Sequence, residues 1–263
     1  MIFDQTIAEK FIRNGYLKST VENMDALCSI TQQVYEHTCN FLSIQEEELE
    51  PKTLFNNIHN YISVSQLNNL RMHIINGLLQ TRDFHENVFL CAKDMLSFIV
   101  GNELAIQRNM GFSIQLPNDT SSLLAPHSDV WGSECSPFEC VLWLPLVDCY
   151  RTKSLFYLPP SKDRIWRTKL KQFSSMDEIF QEIEKDIIWP EVQYGEFLIF
   201  TPTCLHGNRT NQEEQTRWSF NIRFKGLFTP YSGKGFGDYF QPLSIRPISK
   251  IGMSFQFPTV DHE

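Results

Sequence analysis

The sequence predicts a mainly β fold with a helical N-terminal part, a sandwich or jelly-roll barrel flanked by helices. Apolar residues recur at helical spacing through residues 1 to about 105, and from about residue 111 the period changes to two. Short strand-like runs then follow one another, separated by turns, and jelly-roll closure is one way to protect their edges. A length of 263 residues with 42% hydrophobic content allows one large domain with a substantial core.

The elements follow in order. Residues 20–35 and 64–79 carry apolar side chains one helical turn apart and are expected helices. The acidic tract between them, Glu46-Glu-Glu-Leu-Glu-Pro-Lys-Thr53, reads as a solvated linker with a helix start nearby. Residues 106–225 are expected to form the β core. Within it, residues 111–116 alternate Phe112, Ile114 and Leu116 with Ser113 and Gln115, and residues 139–147 read as a buried strand. Residues 154–158, 196–200 and 217–224 continue the series. An insertion at 159–189 interrupts it, with Ser175 and Glu178 as a capping box opening a short helix. Its cationic half, Lys162, Arg164, Arg167, Lys169 and Lys171, is either a solvated face, the commoner fate, or a means of steering an anionic substrate to the barrel mouth. The segment 226–263, rich in glycine and aromatics, reads as a mobile lid or a packing arm.

Composition removes several classes. Asp and Glu outnumber Lys and Arg, 31 to 23, and no basic run is interleaved with aromatics, so nucleic acid is not an expected partner. No apolar run is long enough to span a bilayer, and residues 1–10 lack a cationic segment followed by an apolar one. A soluble, cytoplasmic protein acting on a small molecule is expected; an oligomer is compatible with the sequence. Seven cysteines with no Cys-x-x-Cys spacing read as reduced thiols.

The chemistry concentrates in three short stretches. Two residues apart on a strand share a face, so His127 and Asp129 of His127-Ser-Asp129 can offer an imidazole and a carboxylate to one ion. His206 adds a second imidazole. Two histidines and a carboxylate leave positions on the ion open, as in non-heme Fe(II) sites that activate oxygen, whereas a structural zinc site is closed. Arg217 supplies a planar fork of donors for a carboxylate, and Ser219 shares its face. Taken singly, each has a commoner fate: a surface His127, a turn-forming Asp129, a core His206, a salt-bridged Arg217. Against those stands the run 217–224, which puts Arg217, Ser219, Asn221 and Arg223 on one face and Trp218, Phe220, Ile222 and Phe224 on the other. Unpaired arginines cannot line a dry core, so the polar face meets solvent or a pocket that binds anions. Cys204, two residues before His206, is a small buried thiol by default and a fourth ligand only as the rarer alternative. His37, His59, His73 and His85 lack a partner at ligand spacing.

His127-Ser-Asp129, His206 and Arg217-Trp-Ser219 together resemble the motif set of the Fe(II)/2-oxoglutarate-dependent oxygenases, and most of all the phytanoyl-CoA-dioxygenase-like group. Trp143-Leu-Pro-Leu146 and the run Gly195 to Gly207 resemble the strands that flank those motifs; the likeness covers roughly residues 105–225. It implies a double-stranded β-helix of the cupin type, with Fe(II) held by His127, Asp129 and His206. It further implies 2-oxoglutarate chelating the metal, with its distal carboxylate on Arg217 and a hydrogen bond from Ser219. Gln115 and Trp143 are expected to flank the cosubstrate, and Asn221 and Arg223 to meet substrate, with a structural ion pair the alternative for Arg223. The implied reaction consumes O2, releases succinate and CO2, and hydroxylates a C–H bond of a small polar metabolite, carbohydrate-linked or from natural-product biosynthesis. Related halogenases lack the carboxylate, so Asp129 argues against halogenation. The rival readings are a cupin-type isomerase or epimerase, an oxygenase without 2-oxoglutarate, and a non-catalytic small-molecule-binding barrel.

Overall fold

The computed structural model of the chain describes residues 5–45, 49–132 and 134–257. Residues 46–48 of the expected linker and the end of the C-terminal segment lie outside them. The helical part comprises α1 (Gln5–Asn14), α2 (Met24–Leu42), α3 (Pro51–Asn57), α4 (Val64–Gln80), α5 (Phe84–Leu90) and α6 (Lys93–Val100). The side chain of Asn23 starts α2 by accepting from the Ala26 N–H at 3.0 Å, a cap that satisfies one of the helix's unpaired donors. Leu27, Ile30 and Val34 of α2 and Leu67, Leu70, Ile74 and Leu78 of α4 are buried, the stripes that the helical period predicts.

The strands are β1 (Tyr16–Thr20), β2 (Leu104–Gln107), β3 (Gly111–Gln115), β4 (Glu139–Pro145), β5 (Phe156–Tyr157), β6 (Glu196–Phe200), β7 (His206–Gly207), β8 (Arg217–Gly226) and β9 (Phe240–Ser244). Seven of them form one antiparallel sheet in the order β1-β6-β4-β8-β2-β9, with β3 also pairing β8; β5 and β7 form a second. The ten-residue β8 is the spine, bordered by β4 on one edge and by β3 and then β2 on the other. No ladder joins the two sheets among the described residues, so the closed barrel expected from the sequence is realised as a large sheet facing a small one.

Three parts of the chain depart from the sequence reading. Tyr16–Thr20, expected in a helical region, pairs with β6, and Leu104–Gln107, buried on both faces, lies between β8 and β9. The C-terminal segment contributes β9 and then α9 (Pro247–Ser254), so residues 240–244 form an arm built into the sheet edge. Pro242 sits in that edge strand, where a missing N–H leaves no central ladder broken.

The outward face of β8 packs on the helices. Trp218 and Phe220, both without exposed surface, meet Phe55 (centroids 4.7 Å), Phe84 (5.6 Å) and Phe112 (4.5 Å). One apolar cluster runs through the helices and the large sheet. The insertion has a smaller cluster of its own, in which α7 (Pro160–Arg167) and α8 (Met176–Ile183) place Trp166, Ile179, Phe180 and Ile183 against Phe156, Leu158 and Leu205. Ser175 caps α8 through the Glu178 N–H at 3.2 Å, but Glu178 reaches back to the Ser174 N–H at 2.8 Å and not to Ser175, so the expected box is half formed.

Candidate active site

A cavity of about 270 Å³ lies between the sheets, lined from the large sheet by Ser113, Trp143, Arg217, Asn221 and Arg223 and from the small one by His206 and Gly207. Antiparallel register explains the convergence, because directly paired residues project to the same face. Ser113 pairs with Ser219 and Gln115 with Arg217 across β3–β8; Val141 pairs with Arg223 and Trp143 with Asn221 across β4–β8. Arg217, Asn221 and Arg223 of the polar stripe therefore line the cavity, while Ser219, on the same face, is fully buried and does not line it.

His127, Asp129 and His206 come together, with one potential ligand atom from each within 4.8 Å of the others. The local backbone differs from the strand expected at 127–129. His127 forms a single bridge with His206, their N–H and C=O groups exchanging bonds of 3.0 and 2.9 Å, and Asp129 opens a turn. Convergence is kept because the Asp129 N–H donates to Pro202 O (3.1 Å) and the Ser128 hydroxyl sits 2.9 Å from Thr203 O. Gly207 permits the approach: a Cβ there would fall 2.6 Å from Leu124 O and 2.8 Å from the Phe156 ring. From the other side, Asp163 of α7 accepts the Leu205 N–H at 2.9 Å, so the insertion buttresses the strand that carries His206.

Each imidazole is oriented through its second nitrogen. Nδ1 of His127 lies 2.7 Å from Ala125 O and Nδ1 of His206 lies 2.9 Å from Cys204 O. A carbonyl only accepts, so both Nδ1 atoms donate and both Nε2 atoms are left to coordinate. These sit 3.5 and 3.6 Å from Oδ1 and Oδ2 of Asp129. Burial pushes the His206 pKa down to about 4, keeping it neutral. Burial also opposes charge on His127 and Asp129, but their mutual contact outweighs it: His127 is raised, and Asp129, facing His206 and Arg223 as well, is lowered. A neutral imidazole, a second that exchanges its proton for a cation, and an ionised carboxylate form a donor set that fits a divalent metal.

Arg217 is buried with its guanidinium donating to Ser154 O (3.0 Å) and Ser113 Oγ (2.9 Å); among the described residues its Nε has no partner, and neither has the buried Ser219 hydroxyl. Burial lowers its pKa to about 10 with no carboxylate opposing the shift. A buried cation with unused donors beside a cavity is arranged for an anion that enters from outside. Of the two residues expected to flank the cosubstrate, Trp143 lines the cavity and Gln115 does not: its side-chain amide donates to Arg209 O at 2.6 Å. Asn221 lines the cavity with its Oδ1 unpartnered. Arg223, expected at the substrate with an ion pair as the alternative, lines the cavity and also lies 2.8 Å from Asp129 Oδ2 and 3.5 Å from Glu139 Oε2.

The sequence reading missed Glu139, whose signal was a charge opening an otherwise apolar strand, and Ser113, which appeared only as a polar position of an alternating run. Tyr239, from the C-terminal segment, also lines the cavity and carried no signal at all. The remaining candidates take their ordinary roles. Cys204 stays outside the metal cluster, and all seven cysteines are free thiols. His59 contacts Thr216, His85 contacts Arg108 O, and His37 and His73 pack edge to face. None of the five insertion cations lines the cavity; Lys162 and Arg167 are paired with Asp186 and Asp163. Among the described residues no helix is long and apolar enough to cross a membrane.

No family model matches the sequence, and no curated protein matches it by sequence. Solved structures do resemble it in fold. A non-heme monooxygenase, ThoJ, solved as its nickel complex, superposes with a TM-score of 0.58 at 13% identity over 92% of this chain and 85% of that one. EctD from S. alaskensis gives 0.56 at 12% identity, covering 86% and 78%. The non-heme alpha-ketoglutarate-dependent carbocyclase SnoK from nogalamycin biosynthesis gives 0.55 at 10% identity, covering 88% and 87%. The chain thus shares the fold of solved non-heme enzymes and carries a His-Asp-His cluster in the cavity between its two sheets.

Proposed function

We propose that the chain is an Fe(II)/2-oxoglutarate-dependent oxygenase that hydroxylates a small polar metabolite. The observation that carries the reading is the shared cavity: a His-Asp-His donor set and a buried arginine that has no carboxylate partner among the described residues line one space. A metal isomerase would need the first but has no use for the second. The likeness to non-heme enzymes that include the alpha-ketoglutarate-dependent SnoK supports the same class, and the motif resemblance to the phytanoyl-CoA-dioxygenase-like group is the finer expectation.

His127, Asp129 and His206 would hold Fe(II), which with 2-oxoglutarate and O2 supplies an oxidant for an unactivated C–H bond while the cosubstrate leaves as succinate and CO2. The chain's own contribution is placement and electrostatics. Arg217 offers its fork to the distal carboxylate, and the Ser219 hydroxyl adds a donor beside it. Trp143, Leu155 and Phe200 wall the cavity with apolar surface, which keeps water away from the reacting centre and strengthens each charge contact inside. Asn221, with an acceptor oxygen free, is the candidate contact for a hydroxyl or amine of the substrate.

The test is cosubstrate turnover in the absence of a substrate. Purified protein with Fe(II), O2 and 2-oxoglutarate should form succinate slowly, and His206→Ala should form none. Equal succinate from both proteins would remove the assignment.

A further inference from the structure

A carboxylate can hold a metal through one oxygen or both, and the choice decides how many positions remain for other ligands. We propose that Arg223 is a positioning residue that confines Asp129 to coordination through Oδ1 alone. The inference rests on the iron reading above and concerns how one ligand is presented.

Asp129 Oδ2 receives the Arg223 Nη2 at 2.8 Å, and both side chains are 13% exposed, so water competes little for that contact. Oδ1 lies 3.5 Å from Nε2 of His127, whose ring proton is committed to the Ala125 carbonyl, and Oδ2 lies 3.6 Å from Nε2 of His206, so the Arg223 cation is what distinguishes the two oxygens. The two oxygens are therefore unequal before any ion arrives.

Arg223 is itself held from behind. Its Nη1 lies 3.5 Å from Oε2 of Glu139, whose side chain has no exposed surface and whose Oε1 accepts the Ser136 N–H at 2.8 Å. The Arg223 N–H donates to Gln107 Oε1 at 3.1 Å, and the residue sits opposite Val141 within the β4–β8 ladder. The guanidinium thus lies between Asp129 and the fully buried Glu139 on a central strand, hydrogen-bonded to the first and in ionic contact with the second.

Two imidazoles and one oxygen fill three of the six positions of an octahedral ion. A chelating cosubstrate would take two more and leave one open. Were Asp129 to bind through both oxygens, that last position would close. Arg223 in this account acts on the reaction through Asp129 and needs no contact with substrate.

The probe is Mn(II) alone, with inner-sphere water counted by solvent-proton relaxation. The wild-type protein should hold three exchangeable waters on Mn(II). Removing only Arg223 strands a buried Glu139, so the informative variant is Arg223→Met with Glu139→Gln, which removes both charges of the pair. It should bind Mn(II) with two waters, a fall of about one third in the inner-sphere signal. Three waters in the double variant, or two in the wild type, would overturn the clamp and leave the metal site standing. A wild-type protein that takes up no Mn(II) would instead remove the metal reading itself.

Discussion

Replacing Arg217 by Met should separate ligand binding from folding. The guanidinium is enclosed, and its pKa falls from 12.5 to about 10, which at 1.36 kcal/mol per unit places a burden of about 3 kcal/mol on the buried charge. Met removes that burden in a similar volume, but leaves Ser154 O and Ser113 Oγ without their donor, at a cost of about 1–3 kcal/mol each. The terms oppose one another and nearly cancel. A residual of up to about 3 kcal/mol moves Tm by no more than roughly 10 °C in a chain of this size. Cosubstrate affinity has no such offset: truncating one partner of a buried, hydrogen-bonded charge pair costs about 2–5 kcal/mol, or roughly 30- to 4,000-fold in Kd. Anaerobic calorimetry of 2-oxoglutarate into the Fe(II)-loaded variant, beside a thermal melt, reads both quantities. An unchanged Kd would refute the role given to Arg217, and a melt lowered by roughly 20 °C or more, twice that bound, would make it a structural residue.

Three further outcomes follow from the geometry. Gly207→Ala brings a Cβ within 2.6 Å of Leu124 O, so the backbone leading to His127 must shift away from the strand that carries His206; calorimetry should show Fe(II) affinity lower by about tenfold or more, as loss of ligand orientation costs. Trp218→Ala empties a fully buried site on the face away from the cavity and should cost about 3–5 kcal/mol in chemical denaturation. Its Fe(II) affinity should stay unchanged. Burial of Lys153 lowers its pKa from 10.5 to about 8, so between those values the unfolded chain binds the extra proton and stability rises with pH. Wild-type protein should gain on the order of 1–3 kcal/mol over Lys153→Met from pH 8 to 10.5, and parallel stability curves would contradict this.

What the sequence made legible was what local pattern specifies. The alternation of residues 217–224 set which side chains of β8 face the cavity, and helical spacing located α2 and α4. The residues grouped by chemistry, His127, Asp129, His206 and Arg217, do line one space. Long-range pairing was not legible. Leu104–Gln107 lacks alternation because both its faces are buried, and Tyr16–Thr20 is too short to display a period before it joins β6. The bridge between His127 and His206 depends on Gly207 having no side chain, a constraint that appears only when the two segments meet. Arg223 shows the limit from the other side: its face was read correctly, but its partners Asp129 and Glu139 come from elsewhere in the chain, and no spacing rule reports them.

The most direct test of the account is an anaerobic titration of the apoprotein with Fe(II) and then 2-oxoglutarate, followed by visible absorption. A weak charge-transfer band that grows with cosubstrate and saturates at one equivalent per chain is the predicted result, since metal and cosubstrate then share one cavity. Iron uptake without any band would contradict it, leaving a metal site that does not receive 2-oxoglutarate.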